Sequence, residues 1–591
     1  MKTNKVTPEV WFYALTFVLA LGIRFYQLGA GALSDGEATW ALQALDLARG
    51  HTVTLGGQPG YLMLTSLLFS LIGSTNSLAR FIPALSGSLL VWLPFFFRGW
   101  MGDSAWRQRA GLVMAFGLAL DPGLVSISRQ VGSPMPALAF TLLALACLYN
   151  RRMVWSGVCA GLAVLSGPAF LQGLLILGVS WGIYLLVSRW MTKPREEDES
   201  VADTHPIPAA LLRVAGITFL FTLLAVGTLL FRHPQGLGAL AESVSAYVQT
   251  FLTSSGIPYL RLPASLLVYQ LIAVLFGLIG AGKAWLGYRS EPDVRRVMVG
   301  LSIWVVIAII LPFIYVGRQV SDLSWALVPL WALASLEISR SFLGGEERDT
   351  YLVAGALGVL LSIFAVIGWF NFLAIGRYQA NILLYAAIIA GAFLLGLVAV
   401  LLVMTAFSSK EANSAASLGM VWSLCLMLGL FLFAGSWGMS IVRQNGAQEL
   451  WSSSPTPGQV GQLMQTLTDL SSWNTGLRDQ LEVVDMTGSP AMQWALRDFP
   501  FARSEASLAS AESPPVVITL KEAEEPRLVQ EYRSQDFIWR LSPGWQGVFP
   551  TDFINWLAFR KAPLSQEQVI LWTRTDSFPG GGPSASENAT P

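Results

Sequence analysis

As far as residue 440 the chain is a succession of long apolar runs separated by short polar loops. A helix needs about 20 apolar residues to cross a hydrocarbon core of about 30 Å. Runs that meet or approach this length lie near 10–28, 78–97, 110–125, 134–149, 154–167, 169–188, 210–231, 264–286, 297–316, 322–338, 351–373, 382–407 and 417–439. The run 61–73 is shorter, and as a helix it rises only about 20 Å. Beyond residue 440 the pattern changes to short alternating stretches. Leu481–Met486, Pro515–Leu520 and Gln568–Thr573 read as strands, and Ala491–Phe499 and Phe553–Arg560 as short helices. The segment 578–591 is rich in Gly, Pro and Ser and reads as a disordered tail. Three segments result: a membrane body 1–440 with its first outward loop at 29–77, an α/β domain 441–577, and the tail 578–591.

Charge decides the topology. Only 13% of residues are charged, against about 25% in soluble domains. The 37 basic and 37 acidic residues cancel, so no basic excess points to nucleic acid. The halves differ: residues 1–440 carry 26 basic and 20 acidic groups, and residues 441–591 carry 11 and 17. If 61–73 does not cross, 13 crossings put sixteen Lys and Arg of the loops inside and six arginines outside. If it does cross, that bias reverses and violates the positive-inside rule. The run 61–73 is therefore read as interfacial or re-entrant. The N-terminus is cytoplasmic, and the α/β domain is extracytoplasmic on a plasma membrane. Lys2 and Lys5 before an apolar segment also fit a signal peptide. No A-x-A site follows, and Arg24 interrupts the cleavage region, so the first helix is read as retained.

Candidate chemistry is sparse. Cys147, Cys159 and Cys425 sit in apolar runs and read as buried hydrophobes. The three histidines share no ligand spacing. The first outward loop holds Leu33-Ser-Asp-Gly-Glu-Ala-Thr-Trp40. Asp35 and Glu37 could converge on a hydroxyl as a general base, or on Mg²⁺ or Mn²⁺. Ser34-x-x-Glu37 is also a capping box that opens a helix over about 37–49. The two readings are compatible, because a capped helix holds Asp35 rigidly. Outward Lys and Arg are few, so Arg129, Arg318 and Arg377 are candidates for holding a phosphate. A headgroup contact or snorkelling is the plainer reading for Arg377, whereas for Arg129 the two readings are evenly balanced. Arg80 reads as an anchor at the start of the second span. Most of the 22 Trp read as interface anchors. Trp40 and Tyr61, near the acidic motif, are candidates for lining its cavity.

In this order the motifs resemble those of GT-C glycosyltransferases, the group that includes protein O-mannosyltransferases and lipid A aminoarabinose transferases. The likeness runs through Asp35-Gly-Glu37-Ala38, the helix Trp40–Gly50, Gln58-Pro-Gly-Tyr61, Ala79-Arg-Phe-Ile-Pro-Ala-Leu85, Ser128-Arg129 and Gly161–Pro168. A weaker match covers Gly317–Pro329. The resemblance implies a GT-C-like polytopic helical fold and inverting transfer from a polyprenyl-phosphate sugar to an unidentified protein, lipid or glycan acceptor of the cell envelope. Asp35 would be the base, Glu37 its metal or hydrogen-bond support, and Arg129, Arg318, Gln58, Tyr61 and Trp40 would bind substrate. The sequence departs from the family at the acidic pair, which is usually adjacent and is here split by Gly36. Gln58 stands where Lys or His often precedes the loop proline. A Lys common near Gly167 is missing, and Ser133 replaces a frequent acidic residue. Two alternatives stay open: a flippase or transporter component for lipid-linked sugars, and a non-catalytic scaffold.

Overall fold

The structure is a computed structural model. It describes residues 8–578 except 53, 102–103, 192–207, 288–290, 342–347, 379–386, 390, 393, 397, 400–408, 445, 453–454, 510–511, 524–525, 527, 544–555 and 558–559. The side chain of Arg377, most of the expected span 382–407, most of the expected helix 553–560 and nearly all of the terminal segment 578–591 lie outside the described residues.

Apolar runs become helices because only an intrachain ladder satisfies every backbone group away from water. Among the described residues, five helices are long and apolar enough to cross a membrane: Pro168–Trp190, Ala209–Gly227, Pro292–Ile314, Thr350–Asn371 and Ala415–Val442. The number rises to seven if each of two bent pairs is one span. Shorter apolar helices include Phe81–Phe96, Met135–Tyr149 and Met153–Val164. The first helix, α1, is Pro8–Phe25. The run expected to lie at the interface is α3, Pro59–Ile72, fourteen residues long.

Two runs expected to be single helices are broken. Ala105–Leu120 gives way at Asp121 to Pro122–Ser128 with a 52° bend. Pro122 has no N–H to continue the ladder. The Asp121 carboxylate accepts from Leu124 N at 2.9 Å and from Trp331 Nε1 at 2.8 Å, so the new helix end is satisfied without water. Arg261–Tyr269 and Leu271–Trp285 meet at 96°.

The C-terminal segment forms a six-stranded sheet in the order β1-β5-β6-β4-β2-β3. The strands are β1 Thr456–Pro457, β2 Val483–Asp485, β3 Ala502–Ser504, β4 Val516–Leu520, β5 Tyr532–Pro543 and β6 Leu564–Arg574. β2 runs parallel to both β3 and β4, and the other pairings are antiparallel. Helix Val460–Thr475 buries Val460, Leu463, Leu467 and Leu470, an apolar stripe at helical spacing. It stops at Gly476, whose φ of 77° suits a residue without a side chain. Three expected strands are present as β2, β4 and β6. The pattern reading missed β5, whose first half, Tyr532-Arg-Ser-Gln-Asp536, is polar and solvent-facing; only Phe537 and Trp539 are buried.

Packing crosses the expected boundary at residue 440. The helix α2, Asp35–Ala48, and α3 share one apolar core with the sheet: Ala41, Ala44, Tyr61 and Phe69 belong with Leu467, Val483, Trp494 and Phe537. Leu450, Trp451 and Trp556 instead join the core of the helical body.

Candidate active site

The site begins at the start of α2. Ser34 has extended backbone angles and accepts from Glu37 N, while Glu37 Oε2 accepts from Ser34 N at 3.1 Å. The expected capping box is therefore formed, but Glu37 does far more. Arg80 grips it in a two-bond fork, Nε to Oε1 at 2.8 Å and a terminal nitrogen to Oε2 at 2.8 Å. Val131 N donates to Oε1 at 3.1 Å. Both side chains are 7% exposed. Burial works against the Glu37 charge, yet Arg80 and the Ser34 and Val131 amides outweigh it and hold the carboxyl below the usual glutamate range. Arg80 also donates to the carbonyls of Leu28, Gly31 and Ala32. The pair thus ties three chain segments together.

Asp35, two residues earlier, faces a different set of partners. Its Oδ1 accepts from Ser489 Oγ at 2.5 Å and Ala491 N at 3.3 Å. Its Oδ2 lies 2.6 Å from Arg540 Nε. Arg540 reaches on to Glu567 at 3.0 Å. Ser489 caps the short helix Pro490–Ala495, so Asp35 lies where β5 and a helix start of the sheet domain meet α2. Its side chain keeps 24% exposure. Of the two carboxylates, Asp35 alone is open to solvent.

Arg129 is buried and committed to backbone. It donates to the carbonyls of Ile23, Arg24 and Tyr26 at 2.8–3.1 Å and to Gln27 at 3.3 Å, closing the end of α1. Arg24 in turn donates to Leu118 and Ala119 O, each at 3.0 Å. Glu37, Arg80 and Arg129 line a common cavity of about 50 Å³, room for a few waters. Arg318 stands apart from that cavity. It donates to Tyr315 O at 3.2 Å and Ile257 O at 3.0 Å, and its guanidinium stacks 3.5 Å from the Tyr259 ring centre.

Gln58 and Trp40 converge with Glu37 on the turn Val131-Gly132. Gln58 Nε2 donates to Gly132 O at 2.9 Å. Gly132 has φ 71°, and a Cβ there would lie 2.7 Å from the Trp40 indole, so glycine is required on both counts. Tyr61 donates to Ala79 O at 2.9 Å. Pattern reading missed the partners that decide each role: Arg80 as the counter-charge of Glu37, and Ser489 and Arg540 on Asp35. It also missed Asp322, whose carboxyl accepts from Tyr315 Oη at 2.8 Å.

The carboxylates do not fit a metal ion bridging Asp35 and Glu37. Glu37 already accepts from Arg80 and from amide N–H groups, Asp35 accepts from Ser489 and the Ala491 N–H and is ion-paired with Arg540, and the two partner sets share no member. Among the described residues, no group of three His, Cys, Asp or Glu is placed to hold a metal.

No family model and no curated protein sequence matches the chain. Among solved structures, ArnT from Cupriavidus metallidurans bound to undecaprenyl phosphate is similar at 18% identity, over 87% of this chain and 94% of that one, with a TM-score of 0.49. The same protein in its apo state is similar at 15% identity, over 96% and 98%, with a TM-score of 0.48. Both likenesses are too loose to carry a function, which rests on this chain's own residues.

Proposed function

We propose that the chain is an integral membrane glycosyltransferase of GT-C type, moving a sugar from a polyprenyl-phosphate donor to an acceptor hydroxyl at the external face. The ordered motifs of the first 190 residues support this reading, and the observation that carries it is the division of labour at the acidic loop. Glu37 is buried and locked into the scaffold, while Asp35 sits on the same rigid helix turn with solvent access. Thirteen crossings, a cytoplasmic N-terminus and an external sheet domain belong to the same reading.

In the proposed reaction the acceptor O–H gives its proton to Asp35 as its oxygen bonds to the sugar's anomeric carbon. The bond from that carbon to the phosphate oxygen breaks, and the polyprenyl phosphate leaves with the electron pair. Inversion follows from attack opposite the leaving group. Ser489 and Arg540 orient Asp35, and the Arg540 contact must open for the acceptor to reach it. Arg129 serves by holding the second outward loop rather than the phosphate. Arg318 keeps the assignment to donor phosphate, because one terminal nitrogen has no bond among the described residues.

The test uses the full chain in detergent with radiolabelled polyprenyl-phosphate sugars and membrane extract. Asp35→Asn should slow transfer by about 10²–10⁴-fold, the usual worth of a general base. Transfer undiminished by Asp35→Asn would remove Asp35 as the base. The arginine partners on both carboxylates favour one second reading, a non-catalytic scaffold. Absence of transfer with every donor supports it, and lipid movement across vesicles without transfer supports a flippase.

A further inference from the structure

A second polar concavity lies in the sheet domain, and the chemistry above does not use it. It encloses about 840 Å³, within the range of small-molecule sites. It lies off the carboxyl ends of the parallel pair β2 and β3. Asp485 ends β2 and Ser504 ends β3, opposite one another in register, and both line the cleft.

The lining selects against most ligands. Arg49, Arg497 and Arg503 face it together with Asp479, Asp485 and Asp498, so the lining charges cancel. Arg503 is also paired with Glu482, Glu505 and Glu512 at 3.1–3.2 Å. An anion therefore meets no surplus of positive charge, and a lipid tail meets mostly polar surface. Hydrogen-bonding capacity is left over. The Arg497 Nε is buried with no partner, Gln493 is exposed, and the Asp498 side chain is 67% exposed. Hydroxyl groups both donate and accept, so neighbouring hydroxyls of a sugar can use planar carboxylate, amide and guanidinium groups at once.

We propose that this cleft binds a neutral carbohydrate stretch of the acceptor. The inference rests on the glycosyltransferase reading and extends it to the substrate. Arg49 caps the end of α2, and its terminal nitrogen donates to Arg497 O at 3.3 Å; Asp35 opens the same helix. Fourteen residues separate the two ends by about 20 Å. An acceptor that occupies the cleft and presents a hydroxyl to Asp35 must be an oligomer.

Binding is measured on the full chain in detergent by saturation-transfer NMR, with maltoheptaose, cellohexaose and tetra-N-acetylchitotetraose as probes, and a Gly-Ser heptapeptide and inorganic phosphate beside them. At least one oligosaccharide should bind, and a Gln493→Ala/Asp498→Ala double variant with an unchanged melting temperature should weaken it at least tenfold. The proposal is overturned if no oligosaccharide binds, if binding survives the double variant, or if only the peptide or the phosphate binds. The readout needs no sugar transfer, so a chain without transferase activity but with cleft-dependent binding would sink the enzyme reading and leave this site standing.

Discussion

Glu37 and Arg80 show what a buried ion pair demands of each partner. Removing one partner leaves the other charged and uncompensated away from water, at a cost of about 3–5 kcal/mol. Arg80→Ala should therefore lower the melting temperature sharply, and so should Glu37→Gln, which leaves Arg80 without a counter-charge and sets its NH₂ against the donors that Oε1 or Oε2 now accepts from. The pair also sets a pH dependence. Glu37 is held below its ordinary range in the folded chain, so its contribution to stability is complete above the unfolded value of about 4.3 and fades as pH falls through the folded one. Melting followed from pH 7 to pH 3 should show wild type losing more stability than Glu37→Gln. The capping box was legible because Ser34 and Glu37 are three residues apart. Which carboxylate remains open was not, because Arg80 lies 43 residues from Glu37 and Arg540 belongs to a distant strand.

Elements were legible where one face or one length dominates. Apolar runs of spanning length became helices, and Val516–Leu520, buried almost throughout, became a strand. The helix Val460–Thr475 carried a readable stripe, Val460, Leu463, Leu467 and Leu470, that the pattern reading passed over. The bends at Asp121 and Gln270 were hidden because they depend on tertiary partners. Asp121 remains buried in an apolar run only because Trp331 and the new helix start supply donors. Asp121→Ala removes that cap and orphans the Trp331 N–H, each a loss of about 1–2 kcal/mol, which thermal unfolding would detect. At the second outward loop, Gly132→Ala forces both a strained backbone and a clash with Trp40. It should destabilise by more than the ~1 kcal/mol typical of glycine positions and lower transfer with it, and a Trp40→Ala background should recover part of the loss.

At the scale of the molecule, the domain boundary read from charge density differs from the boundary in packing. Charge density follows solvent, and the tail is wetter; the apolar core follows contact, and α2 and α3 contribute to the sheet's core. A chain ending at residue 440 should therefore expose apolar faces of the first outward loop and elute as aggregate on size exclusion. Segment 441–577 alone should show a broad, non-cooperative melt. Phe537→Ala, within the shared core, should cost about 3–5 kcal/mol and impair Asp35-dependent transfer although it lies outside the outward loop.

The arginines clamped onto carbonyls have an electrical consequence. In the proposed orientation Arg129, Arg318 and Arg261, whose terminal nitrogen donates to Leu450 O at 3.4 Å, belong to the outer side, yet they are only 7%, 6% and 8% exposed. The inner-loop arginines Arg98, Arg109, Arg151, Arg152 and Arg296 are exposed. Anionic headgroups attract the charge that they can reach. In that orientation a cationic girdle faces one leaflet, while on the other side Arg129 and Arg261 act as internal mortar and, of the outward-loop arginines of the helical body, Arg49 and Arg232 are the exposed ones among the described residues.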